Sequence, residues 1–250
     1  MSTNIPIVNA GEKYINGLNL TWVTGGTTLT VSAGKTRSSD DVNDIILSSA
    51  VTINARVNGQ INRLDVGTLA ANTLYAVWAV GDSSQNNTPG AVLSLSFTQP
   101  TLPAGYDMYR RIGAVKTAAT AAPNAVILGF RQLGYSTDRW MWYDVAYATS
   151  ITNGSSATYA AVTLVDSVPA AVTQVLIRAV FTPTAGDDTL ELRPTGSGAT
   201  AGYAVMSGSV AAVAKTGDML VPTNATPSID YKVTGSATAL TVQAYLDILG

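Results

Sequence analysis

The chain has 250 residues, of which 12% are charged, and a formal net charge of -2 from 14 basic and 16 acidic side chains. That balance makes no electrostatic funnel toward phosphates, so direct nucleic-acid binding is not expected. The absence of histidine and cysteine removes His-based catalytic triads, His- or thiolate-held metals and disulfide scaffolds, so neither an enzyme nor a cofactor is implied.

In chain order, "MSTNIPIVNAGEKY" (1–14) has no basic stretch leading into an apolar one, and no apolar run in the chain reaches about 18 residues. Neither a secretory signal nor a membrane span is expected. The segment has no core-facing period; it reads as an arm that orders on docking, with Ile5, Ile7 and Tyr14 as contact candidates. "SDDVND" then gathers Asp40, Asp41, Asn43 and Asp44 on one turn. Such a run of oxygen ligands is admissible for calcium but lacks the spacing of an EF-hand, and turn-capping carboxylates in water are the plainer reading. The same holds for Asp187 and Asp188 in "AGDDT". "VTGGTT" and "TGSGATAGYA" precede strands, not helices, and so offer no helix N-terminus to a phosphate.

Helical spacing is almost absent. Short runs rich in Val, Ile, Thr, Leu and Tyr recur between clusters of Gly, Pro, Asn and Asp, which predicts an all-β protein of two jelly-roll-like antiparallel β-sandwich domains. "TLYAVWAV" (73–80) is apolar on both faces around Trp78 and reads as a strand covered on both sides, by a sheet and by a loop or a neighbouring molecule. "GDSSQNNTPG" (81–90) makes a polar turn, and "AVLSLSF" returns from it.

"TQPTLPAGYDMYRRIG" (98–113) holds the one adjacent arginine pair. In a strand Arg110 and Arg111 point to opposite faces, which argues against a phosphate clamp. The stretch reads as a structural corner built from Tyr106, Arg110 and Arg111, one arginine tying down backbone carbonyls or a nearby Asp and the other reaching a rim. "AVILGF" (125–130) reads as the strand that closes a first domain, 1–134, ahead of a second, 135–250.

The densest aromatic cluster follows: Tyr135, Trp140, Trp142, Tyr143 and Tyr147. "RWMWY", with Trp140, Met141, Trp142 and Tyr143, suits a subunit or domain interface, where Trp, Tyr, Met and Arg are enriched. The alternative is a platform for sugars or bases. "ATYAAVTLV", "GDMLV" and "IDYKV" read as strands, and "VTQVLIRAVF" and "LELR" as a hairpin turned by "PTAGDDT". "ALTVQAYLDIL" alternates cleanly and predicts one face of Leu240, Val242, Ala244, Leu246 and Ile248.

The run "GTLAANTLYAVWAVGDSSQNNTPGAVLSLSFTQPTLPAGYDMYRRIGAVKT" (67–117), followed by "ILGF", resembles a segment of tailed-bacteriophage virion proteins of the head-decoration, head-fibre and tail-fibre-associated kind. The resemblance covers about residues 40–135 and implies a non-enzymatic structural protein on the virion exterior. Its implied partners are the major capsid protein or other virion proteins. Capsid decoration is the preferred expectation. A tail-fibre or receptor-binding protein is the alternative, contacting a host surface glycan through "RWMWY" and the 81–90 loop. Low surface charge, a weak guard against self-association, adds the expectation of a homo-oligomer, a trimer by preference.

Overall fold

The computed structural model describes residues 13–23, 25–120, 125–134, 136–144, 148–170, 172–235 and 238–249. Ile5, Ile7, Tyr135 and Tyr147 lie outside them. Among the described residues there is no helix. The first strands are β1 (Ile15–Gly17), β2 (Leu20–Trp22), β3 (Thr28–Val31), β4 (Gly34–Arg37), β5 (Asp44–Leu47) and β6 (Val51–Asn58). Next come β7 (Arg63–Leu64), β8 (Leu74–Gly81), β9 (Gly90–Ser94), β10 (Met108–Lys116), β11 (Phe130–Leu133) and β12 (Asp138–Tyr143). The rest of the chain forms β13 (Ala148–Gly154), β14 (Ala160–Thr163), β15 (Gln174–Phe181) and β16 (Thr189–Pro194). It ends with β17 (Ala204–Ser207), β18 (Lys215–Pro222), β19 (Ser228–Val233) and β20 (Thr238–Ile248).

These strands make an all-β fold of three sheets. Small sheets run β1-β4-β5 and β14-β19-β16-β17. The large one runs β10-β8-β9-β7-β6-β3-β2-β11-β12-β20-β15-β18, with β13 also on β20. Pairing is antiparallel except where the two-residue β7 lies parallel to both β6 and β9. One pair, Arg131 with Thr21, joins β11 to β2 and so links the two parts of the large sheet. The 134/135 position falls between β11 and β12 in the chain, and these two strands pair with each other. One apolar cluster nevertheless runs from Leu20, Leu29 and Ile53 through Met141 to Ile177, Leu192 and Val242.

Both faces of β8 are covered. Tyr75, Val77 and Ala79 join the main core. Ala76, Trp78 and Val80 form a second cluster roofed by Phe97, Leu102 and Tyr106 from the chain's own loop, so no neighbouring molecule is needed there.

Three sequence expectations are corrected. "AVILGF" is not a strand up to Phe130: Ile127 makes one isolated bridge with Thr117. Its backbone groups are shared among Gly26, Lys116 and the Trp22 indole, so the segment crosses other elements instead of running beside one. β15 and β16 are not a hairpin. β15 pairs with β18 and β20, and β16 with β17 and β19. Both strands bury alternate positions, and Ile177, Phe181, Leu190 and Leu192 all join the main core.

The third correction concerns β20. Its register against β15 shifts between Leu176 and Ile177, where Gln243 is the extra residue. A bulge of this kind inverts the alternation beyond it. Leu240 and Val242 are fully buried as expected, but past the bulge Tyr245, Asp247 and Leu249 face inward while Leu246 and Ile248 are only half-buried. A carboxylate is thereby aimed into the interior.

Candidate functional site

Strand alternation divides "DRWMWY" between two faces. Arg139, Met141 and Tyr143 are buried, whereas Trp140 is half-buried and Trp142 exposed. The Tyr143 hydroxyl donates to Ser167 O at 2.7 Å, its ring lies 6.1 Å from that of Tyr245, and burial pushes its pKa up. Met141 and Tyr143 are therefore core residues of this chain, and only Trp140 and Trp142 stand on the outer face, because alternate positions of a strand cannot share one surface.

The tryptophans head two cross-strand rows on the outer face. Leu133, Trp140 and Leu246 are register partners across β11, β12 and β20. Trp142, Ala244, Leu176 and Leu220 are partners across β12, β20, β15 and β18. Leu133 is 55% exposed, Leu220 49% and Trp142 37%. The Trp rings sit 6.4 Å apart, tilted by 45°. Two ion pairs border the rows: Arg131 with Asp144 at 3.2 Å and Arg178 with Asp218 at 2.9 Å. An apolar centre with a polar rim is the anatomy of a protein contact surface. Leu133, Leu176 and Leu220 carried no sequence signal, and the alternation of the last strand placed Leu246 on the core face, because only the pairing of distant strands brings them to the tryptophans.

The arginine corner has a different geometry from the expected one. Arg110 is buried and donates to Leu249 O at 3.0 Å and to Lys13 O at 3.5 Å, with Asp41 3.9 Å away. Arg111 binds the Asp247 carboxylate at 2.8 Å and Ile248 O at 3.3 Å, and its guanidinium lies 5.9 Å from the Phe97 ring centre. The two side chains leave opposite faces of β10 yet converge on the same end of β20. Tyr106 ties its turn to the 82–89 loop, its hydroxyl donating to Thr88 O at 2.8 Å.

Sequence reasoning missed the most buried cation. Arg139 is fully buried. It donates to Ser136 O at 2.8 Å, Leu18 O at 2.9 Å, Ile112 O at 3.2 Å and Gly17 O at 2.6 Å. Gly17 and Leu18 both have left-handed backbones, φ 69 and 55, in the turn that carries the chain from β1 to β2. The guanidinium fork supplies donors to the carbonyls of that turn. Burial lowers the Arg139 pKa to about 10, with nearby Asp247 opposing. Burial holds the Asp247 carboxyl above its ordinary value, against the pull of Arg111 and Arg139.

The Asp-rich turn is taken up by the chain itself. Asp40 accepts from Ser38 Oγ and Val42 N, Asp41 from Lys13 N, and Asp44 from Arg37. Among the described residues no three acidic side chains converge as a metal site would require. Asp188 accepts from Thr184 and Ala185, while Asp187 is exposed. Tyr14 is half-buried in its own small sheet, where its carbonyl accepts from Thr36 and Arg37, and Lys35 lies over its ring at 5.6 Å. Ser32 and Lys35, three apart in sequence, do not pair: the serine hydroxyl donates to Ala33 O and accepts from Asn19 N.

The 82–89 loop is built around one carboxylate. Asp82 accepts from Ser84 N and Oγ, Asn86 N, and Asn87 N and Nδ2, at 2.6 to 3.0 Å. The Ser84 hydroxyl bond leads, and with the Asn87 and backbone bonds it outweighs desolvation, lowering the carboxyl pKa to about 2. Because that folded-state value is depressed, its stabilisation is complete above the ordinary carboxylate pKa and is lost as pH falls through the folded one. Amide protection at Ser84, Asn86 and Asn87 is accordingly expected to fade between about pH 4 and about pH 2. Hydrogen exchange followed across that window checks it, and unchanged protection at the lowest pH would contradict it.

The chain matches no protein-family model and no curated protein sequence.

Proposed function

We propose that this chain is a non-enzymatic structural component of a tailed-phage virion, a capsid decoration protein acting as a homotrimer on the particle exterior. In this reading it consists of two jelly-roll-like units divided near 134/135. The observation that carries the reading is the outer face of β11, β12, β20, β15 and β18. There Leu133, Trp140, Trp142 and Leu220 form an apolar strip between two ion pairs, with no element of the described chain placed over it. The segment 67–117 supports it by its resemblance to virion proteins. A decoration protein stabilises a shell because its contacts exist only on the assembled particle.

Trp142→Glu and Leu220→Glu place charge on that strip without touching the core. Each is expected to melt like the wild type and to lose about 30-fold in affinity for particles stripped of the protein, the size of a hot-spot contact. Particles lacking the protein should adsorb to cells normally but rupture sooner on heating, and copy number should scale with capsid subunits. A handful of copies per particle, with lost adsorption and an equally robust shell, would move the protein to the tail and reject the reading.

A further inference from the structure

A groove of about 510 Å³ lies between β5 and the 82–89 loop, within the size range of small-ligand sites. One wall is preformed. Besides the five bonds onto Asp82, Ser83 N donates to Asp107 at 2.7 Å, Asn87 Nδ2 to Gly105 O at 3.0 Å, and Tyr106 to Thr88 O. Opposite it stand Asn43, Asp44 and Ile46 of the β5 region, β5 being an edge strand of its sheet.

The lining selects against ions. It contains no lysine or arginine, so an anion finds no counter-charge, and its two carboxylates are already engaged, Asp44 by Arg37 and Asp82 by the loop. What remains is neutral. The side-chain amides of Asn43 and Gln85 make no hydrogen bond among the described residues, although both residues line the groove. Gln85 is held there by a left-handed backbone, φ 59, that also delivers its N–H to Asp82 O. A side-chain amide offers a donor and an acceptor side by side, which matches a pair of neighbouring hydroxyls. Ile46, 54% exposed, joins Pro89 and Met108 as apolar surface for C–H faces.

We propose that this groove binds a neutral oligosaccharide, with Asn43 and Gln85 hydrogen-bonding its hydroxyls and Ile46 lying under a sugar ring. The site is separate from the Trp140–Trp142 strip and does not depend on where the protein sits on a particle.

The test is NMR titration of the full chain with maltopentaose, mannopentaose and chitotetraose. At least one is expected to shift resonances of residues 43–46 and 82–89 with millimolar affinity or better. Asn43→Ala and Gln85→Ala remove no bond within the protein and should each weaken that binding about 5- to 10-fold, one hydrogen bond's worth. Trp142→Glu should leave it unchanged while weakening shell docking about 30-fold, so the two readings fail separately. The proposal is overturned if none of the three saccharides moves these resonances, or if binding survives both amide variants and is lost with Trp142→Glu. It is equally overturned if a Ser/Thr-rich peptide, and no saccharide, shifts the backbone amides of β5, which would make the groove a strand-addition edge.

Discussion

Arg139→Ala is expected to cost about 3–5 kcal/mol, the range for stripping the partner from buried charged groups. The carbonyls of Gly17, Leu18, Ile112 and Ser136 all lose a donor at once, and Asp247 loses a nearby cation. Each buried acceptor left without a partner carries a desolvation penalty of roughly 1–3 kcal/mol, and the turn at Gly17 and Leu18 already holds two left-handed residues. Arg139→Lys should recover little, because one ammonium cannot reproduce a planar fork spread over several carbonyls. Arg131→Ala is the control. Its side chain is 80% exposed and its ion pair with Asp144 is a surface one, so a change below about 1 kcal/mol is expected. Chemical denaturation of the three variants measures all of this, and an Arg139→Ala protein as stable as Arg131→Ala would refute the structural role.

Trp78→Ala is expected to cost a similar amount, about 3–5 kcal/mol, as an aromatic side chain removed from a packed site. Trp78 is 3% exposed, stacks edge-on with Tyr109 at 5.6 Å, and donates its indole N–H to Ser96 O at 3.1 Å. Trp78→Phe, which keeps most of the volume and loses that bond, should cost distinctly less. The location of the damage is the sharper readout. Phe97, Leu102 and Tyr106 close over Trp78 from one loop, so hydrogen exchange in residues 95–107 should accelerate first, while β15 and β20 stay protected until global unfolding. Uniform acceleration across the molecule would mean that the loop is not a separate roof.

The strand content was legible because alternation and turn residues are local signals. β8, β9, β18, β19 and β20 lie where their Val-, Ile- and Leu-rich runs predicted. The two faces of β12 were also implicit in "RWMWY", since period two alone separates Trp140 and Trp142 from Met141 and Tyr143. What the sequence hid depends on pairing. Nothing local marks Gln243 as a bulge, yet it decides that Asp247 points inward and Leu246 outward. A lone arginine beside two tryptophans looks like surface. Arg139 becomes interior only because β12 lies between β11 and β20 and a turn from the other end of the chain needs its donors. Asn43 and Gln85 likewise come to line one groove only through tertiary structure.

The ties around Arg110, Arg111 and Arg139 also have a kinetic consequence. Arg139 to Leu18 spans 121 positions of chain, Arg110 to Leu249 spans 139, Arg111 to Asp247 spans 136 and Tyr245 to Ala114 spans 131. Loops that long must close before any of these bonds forms, and folds dominated by such distant partners are slow to assemble. β8 and its two antiparallel partners, β9 and β10, can come together early because all three lie close in sequence. The guanidiniums meet their carbonyls only once the distant ends arrive, and until then open strand edges are available to other molecules. Interactions made that late are absent from the transition state, so they act mainly by slowing unfolding. The buried arginines work as a latch on the finished molecule rather than as a guide to it.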